Sequence, residues 1–388
     1  MWVEPELDQS FDRPVQVNEF GTEQCSDEDA GETQVCVTVD EVQDVQVAPV
    51  PPTPGESVEG DGLGVITPQA IVPVPAWCLD AGVTNAWSVT RTQGCGIFSG
   101  VLTVTQTVNG VVTVVGTMNF LMYEYVYVLT DNLTWASQIE VSPTIITGAA
   151  AGTIISGTST CTGVCTGSST FPPQTPGVGG DASGESYYTT TPAVGAAALA
   201  YPGWALSFKA PTAAAPASLA TGGNLAVRCD NALPGRGPGC VLPYVTGRLT
   251  YSSHPDYYPE FGAHVLAAQA SGLPGNAVPL HRTTNSALRD ANRAAACKSP
   301  SVIPRPTGND CDEYPFASTY EGAAAGGPGR TFSFCSVTYY PTGVTSPTGF
   351  SICMINSAEN QLAGSQMNSV LFVPYRIIDG DPFFISIT

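Results

Sequence analysis

Apolar and small polar residues alternate along VLTVTQTVNGVVTVVGTMN, residues 101–119, and the alternation turns over at Asn109-Gly110. A period of two places the branched side chains on one face of a strand, and Asn-Gly is the strongest short hairpin signal. The stretch therefore predicts two antiparallel strands and a two-residue turn. YEYVYVLTDNLTWASQIEV, residues 123–141, continues the pattern with aromatics at alternate positions. FPPQTPGVGGDASGE then loosens into a loop, and a strand pattern returns near GWALSFKAP. Residues 76–224 thus predict an all-β, sandwich-like domain, with Cys78 and Cys95 flanking Trp87 as its pin. The region has no histidine and almost no clustered charge, as expected of a binding or spacer module.

From residue 225 the period changes. PEFGAHVLAAQASG predicts a helix from Pro259 to about Gln269, stopped by Gly272-Leu273-Pro274. TTNSALRDANRAAAC predicts a second helix, capped by Thr284 or Asn285, with an Ala-rich body. RTFSFCSVTYY (330–340) and TGFSICMIN (348–356) predict two strands joined by a PTGVTSP turn, with Cys335 and Cys353 bridging the pair. SAENQLAGSQMNS predicts a helix with Asn356 or Ser357 as cap. VLFVPYRIIDGDPFFISI closes the chain as strand, Asp379-Gly380 turn and strand. Residues 225–388 therefore form an α+β domain. Residues 1–75 show neither period and end in APVPPTPGESVEGDG, which predicts a disordered, acidic, Pro-rich leader.

Charge sharpens this division. Of the 33 acidic residues, 16 lie in residues 1–61, against one basic residue there, Arg13. Ten of the 13 basic residues lie in residues 226–388. The net charge of −20 thus belongs to the leader, while the C-terminal domain is close to neutral and electrostatically separate. Two expectations for the leader follow: a solubilising linker, or an acidic segment that covers a basic groove within the same molecule. The 12 cysteines fall into close sequence pairs: Cys25/Cys36, Cys78/Cys95, Cys161/Cys165, Cys229/Cys240 and Cys335/Cys353, leaving Cys297/Cys311. None has zinc-ribbon spacing, so six local disulfides and an oxidising, extracellular compartment are expected, with the signal peptide absent from this chain. No apolar run is long enough for a membrane helix.

The densest chemistry is NDCDEYPFASTYEG, residues 309–322, where Asp310, Asp312, Glu313 and Glu321 surround an apolar Tyr-Pro-Phe. Upstream, Arg282, Arg289 and Arg293 fall on one side of a helical wheel, because offsets of 7 and 11 nearly complete whole turns. A basic stripe near carboxylates suits a phosphate-bearing substrate. The bland counterpart is a solvated face paired with Asp290 and Glu313. The three histidines, His254, His264 and His281, lack paired ligand spacing, which argues against a zinc hydrolase.

CDEYPFAS, ENQLAGS and RIIDGDPFF, with HVLAAQ, PLHRTTNSALRDANRAAAC and RCDNALPGRGPGC upstream, resemble the secreted NucA/NucB deoxyribonuclease family over about residues 225–388. The resemblance implies a reduced ββα-metal nuclease site, with a base on or just after a strand and a metal-binding Asn on the helix. The family's Asp-Arg-Asp-Glu-Trp/Tyr-Pro motif lies over Asp310 to Pro315, with Cys311 in place of the arginine; Arg293 or Arg282 then supplies the charge. Its Asn-x-x-Ala-Gly-Ser motif lies over Asn360, Ala363, Gly364 and Ser365. One divalent ion, Mg²⁺ or Mn²⁺, is expected on Asp312 and Asn360, with Glu321 as a further ligand. Glu313 is the expected base, although Asp312 and Glu313 are interchangeable at this level. Arg282, Arg289, Arg293 and His264 are the substrate-binding candidates, His264 being equally at home as a structural residue on its helix face. The expected activity is metal-dependent, sequence-nonspecific hydrolysis of DNA by a monomer. The competing class is an extracellular binding protein that keeps the nuclease fold without activity.

Overall fold

The computed structural model describes residues 19–27, 32–42, 45–47, 72–80, 84–223 and 225–388. The chain divides into two compact units. It is mostly β, with few helices.

The first unit contains the described residues up to Asn231 together with Gly237–Val245. The predicted hairpin is present: strands Gln93–Val108 and Val111–Tyr127 pair antiparallel with Val108 opposite Val111. Asn109 and Gly110 both take positive φ, 52° and 78°, the conformation a two-residue turn with strand-matched twist requires. These strands centre a nine-stranded sheet whose inner face meets a five-stranded sheet built around Ala197–Lys209. Trp87, Phe98, Phe120 and Trp135 from the first sheet share one core with Trp204, Leu206 and Phe208 from the second. Phe120 and Phe208 stack across it with centroids 5.7 Å apart.

Two boundaries differ from expectation. Thr33–Val39, predicted to lie in a disordered leader, is a strand paired along Gln93–Val108, with Val35, Val37 and Val39 buried in the core. Its alternating valines supply a strand face that the acidic surroundings masked. The proposed cover of a basic groove by the leader falls largely on residues outside those described. At the other end, Val227–Asp230 and Gly239–Val241 belong to the five-stranded sheet, so Cys229–Cys240 pins this unit rather than the C-terminal one. All six expected disulfides are present, and no free cysteine remains among the described residues. Among the described residues, no helix is long and apolar enough to cross a membrane.

The second unit comprises Ala232–Arg236 and Thr246–Thr388. Its elements are β1 (Gly247–Tyr251), α1 (Pro259–Ala270), β2 (Leu280–His281), α2 (Ser286–Ala296), β3 (Asn309–Tyr314), β4 (Gly329–Arg330), β5 (Phe350–Asn356), α3 (Ser357–Gln366) and β6 (Pro382–Ile387). Two three-stranded sheets result, in the orders β1-β6-β2 and β3-β5-β4. Phe261, Val265, Tyr314, Phe316, Leu371 and Phe383 fill the core that α1 helps to cover.

Two predicted strands did not form. Of the 330–340 stretch only Arg330 pairs with β5, as the end of β4; the antiparallel partner of β5 is β3, the acidic segment itself. The alternation of RTFSFCSVTYY misled because the buried Arg330 guanidinium gathers the carbonyls of Ser271, Ser346 and Thr348, folding the following residues into a loop. Cys335 still reaches Cys353 from that loop. Val370–Phe372 is likewise not a strand: a π-helical turn, Met367–Phe372, continues from α3 and buries Met367, Leu371 and Phe372. A short apolar run has no period with which to choose between the two states.

Loop placement after β3 depends on Asn292, fully buried on α2. Its Nδ2 donates to the carbonyls of Ala317 and Thr319, each at 2.9 Å, and its Oδ1 accepts from the Ala324 amide at 2.9 Å. Gly322 leaves room for this amide, since a Cβ there would strike the Asn292 side chain. Asn292→Leu removes two buried hydrogen bonds and one half-buried one, and is expected to destabilise the fold by about 3 kcal/mol, measurable by urea denaturation. An unchanged midpoint would show that the loop is held by other contacts.

Candidate active site

β3 positions the acidic residues. Successive side chains on a strand face opposite sides, so Asp312 and Glu313 look into different surroundings. Asp312 turns toward α1, whose inward positions Phe261, His264, Val265 and Ala268 follow helical spacing. His264 is fully buried there, and its Nδ1–H donates to Asp312 Oδ2 at 2.6 Å. Its Nε2 lies 2.9 Å from Ser351 Oγ on β5. This run of Asp312, His264 and Ser351 is almost wholly buried, which bars His264 from touching a substrate and makes it a support for Asp312. The substrate-binding expectation for His264 is thereby corrected: its helical face points into the core.

Glu313 turns toward α2. Cys297 at the end of α2 is joined to Cys311, and the Cys297 sulfur sits 3.5 Å from Glu313 Oε2. The disulfide therefore takes the place that the resemblance gives to an arginine and ties α2 to the acidic strand. Burial, reinforced by the neighbouring Asp312 charge, pushes the Glu313 carboxyl up to about 7, against the opposing pull of Arg293. Asn360 comes from the first turn of α3, which Asn356 caps by accepting from the amides of Ala358 and Glu359.

A cleft of about 920 Å³ is lined by Asp310, Asp312, Glu313, Asn360, Arg282, Arg289, Arg293 and Arg305. Six of the eight expected site residues therefore meet in one place. The other two are His264, behind the cleft, and Glu321, which does not line it. Glu321 is held instead by His281, its Oε1 accepting from Nδ1 at 2.6 Å and its Oε2 from the His281 amide at 3.0 Å. With both oxygens committed, Glu321 is corrected from a metal ligand to a partner of β2.

The arginines are not equivalent. Arg282 is buried, donates to the Ile377 carbonyl, and lies 4.2 Å over the Phe372 ring. Burial and the neighbouring Arg289 lower its guanidinium to about 10. Arg293 is exposed and paired with Asp290 at 3.2 Å. Cationic groups and a carboxylate of raised pKa thus line the same cleft, the arrangement needed to hold a phosphate beside a base.

Residues 274–386 match the deoxyribonuclease NucA/NucB family. No curated protein and no solved structure matches the chain. The NucA/NucB span includes β3, β5 and α3, and with them Asp312, Glu313, Ser351 and Asn360. His264 on α1 precedes it, so the pair that fixes Asp312 joins a residue inside the NucA/NucB region to one outside. Sequence reasoning missed Ser351, hidden in an apolar strand, and Arg305, isolated in a loop among Pro and Thr. A polar residue at an inward strand position was the available signal for Ser351.

Proposed function

We propose that the C-terminal unit is a metal-dependent endonuclease that hydrolyses DNA phosphodiester bonds without sequence specificity. The observation that carries this reading is Glu313, of raised pKa, in an arginine-lined cleft with Asp312 and Asn360. The NucA/NucB match supports DNA as the substrate. The six disulfides support an extracellular setting.

The donor set fits a hard divalent ion. Asp312 and Asn360 offer oxygen, and no trio of His, Cys, Asp or Glu donors converges in the cleft among the described residues. Few protein oxygens with water completing the shell suit Mg²⁺ or Mn²⁺. Asp312 and Asn360 would hold such an ion, which would supply Lewis-acid stabilisation of charge on the phosphoryl group. His264 orients Asp312 through the 2.6 Å hydrogen bond. Glu313 accepts a proton from water as the water oxygen bonds to phosphorus; the bond from phosphorus to one sugar oxygen breaks, and that oxygen leaves with the bonding pair and takes a proton from solvent water. Arg293 places positive charge near this centre, replacing the cation lost where Cys311 forms a disulfide.

Plasmid nicking by the full chain tests the reading. Cleavage is expected with Mg²⁺ or Mn²⁺, none with chelator, and at least a hundredfold loss in Asp312→Asn and Asn360→Ala. Cleavage that persists in chelator would refute metal dependence. No cleavage by the folded, disulfide-intact chain would favour a binding protein that retains the fold.

A further inference from the structure

We propose that Arg289 and Arg305 form a subsite for a second backbone phosphate of the nucleic acid, one that is not cut. The inference rests on the nuclease reading and specifies how its substrate is gripped. Four arginines line the cleft, and two are already committed: Arg282 to the Ile377 carbonyl and the Phe372 ring, Arg293 to Asp290. The remaining two differ. Arg289 Nε is buried and has no hydrogen-bond partner, and Arg305 Nη1 is in the same condition. Neither side chain makes an ion pair among the described residues.

Both side chains line the cleft with no carboxylate partner and with guanidinium donors unmet, so an external anion is the acceptor this part of the cleft lacks. Arg305 is held for this purpose: its Nη2 donates to the Lys298 carbonyl at 3.2 Å, leaving Nη1 free. Cys297–Cys311 bounds the segment that carries it, fixing that loop to β3. Arg289 is on α2, one turn before Arg293. The acceptor must be anionic and carry several oxygens, because two guanidinium groups line one cleft; a phosphodiester meets this requirement. Glu313 shares the cleft with Asp312 and Asn360, so the scissile phosphate belongs beside those three and the Arg289–Arg305 subsite takes a flanking one.

The test is equilibrium binding of a fluorescent DNA duplex to the full chain in chelator, across a salt series, for wild type, Arg289→Gln, Arg305→Gln, the double variant and Arg248→Gln. Arg248 is outside the cleft, beside Phe384 and Ser386. Each cleft substitution is expected to lower the slope of log affinity against log salt by about one, and the double variant by about two. Affinity should fall equally for unrelated sequences. Arg248→Gln should leave the slope unchanged, and Arg289→Lys and Arg305→Lys should retain most of it with wild-type melting temperature. An unchanged slope in the double variant, or an equal loss in Arg248→Gln, would overturn the proposal. Plasmid nicking by the wild type separates the two ideas: cleavage with unchanged slopes rejects only the subsite, and binding with the expected slopes but no cleavage rejects only catalysis.

Discussion

Glu313→Gln is expected to reduce DNA cleavage by a factor of about 10²–10⁴, the usual contribution of a positioned general base. Wild-type activity should rise with pH and level off above about 7, because the base works only when ionised and burial holds its carboxyl near that value. The variant should lose this limb. Its stability should move the other way. A carboxyl raised from 4.5 to about 7 on folding makes the native state bind more protons between those values. The associated stability is complete below 4.5 and is lost as pH rises through 7. Glutamine copies the neutral form, so the variant should be more stable than wild type at pH 8 by ~1–2 kcal/mol, after allowance for partial solvent access, and nearly equal to it at pH 4. Glu124 in the other unit is also raised to about 7 by burial, so the difference between variant and wild type is the informative quantity. Denaturation at the two pH values, beside a pH–rate profile, checks both parts. A variant that cleaves at the wild-type rate would move the base to Asp312.

That choice could not be made from the acidic stretch alone, and the reason is geometric. Adjacent residues differ little in sequence context, yet a strand sends them to opposite faces. The identity of NDCDEY as a strand was obscured because Asp and Asn are poor strand formers. Its pairing with β5 is a tertiary choice, made once the better-patterned 330–340 stretch is drawn away by buried Arg330. Helices were more legible. Pro259 at the start of α1 and Asn285 before α2 act through local hydrogen bonds and fixed φ, and both helices begin there. The same local logic made the Asn109-Gly110 hairpin and the short-range disulfides readable.

The arginine stripe shows the opposite limit. Helical spacing grouped Arg282, Arg289 and Arg293, and all three reach the cleft, but Arg282 precedes α2 and acts from the end of β2. Asp290 was already in view as a partner for the stripe, and Arg293 takes it, but spacing gave no sign that Arg282 would be held by Ile377 and Phe372, distant in sequence. A wheel reports direction on one element; which charge stays available depends on what the rest of the chain brings to it.

The largest effect on stability is expected at His264. His264→Leu leaves the Asp312 carboxylate buried without its hydrogen-bond donor, and breaking a buried pair in this way costs about 3–5 kcal/mol. Ser351 loses its imidazole partner as well. His264 does not touch the cleft, so any catalytic loss must pass through Asp312. The expected signature is a 10–100-fold rise in the Mg²⁺ concentration needed for half-maximal cleavage, the effect of removing the group that orients a metal ligand. A merely structural role would lower the melting temperature without moving that concentration for the molecules that remain folded. The double variant His264→Leu/Asp312→Leu separates the terms. Replacing both partners by apolar groups removes the uncompensated carboxylate and should restore most of the stability, while cleavage stays absent because Asp312 is gone. Were His264→Leu as stable as wild type, the carboxylate would have to reach solvent in the cleft, and the pair would not be what fixes Asp312.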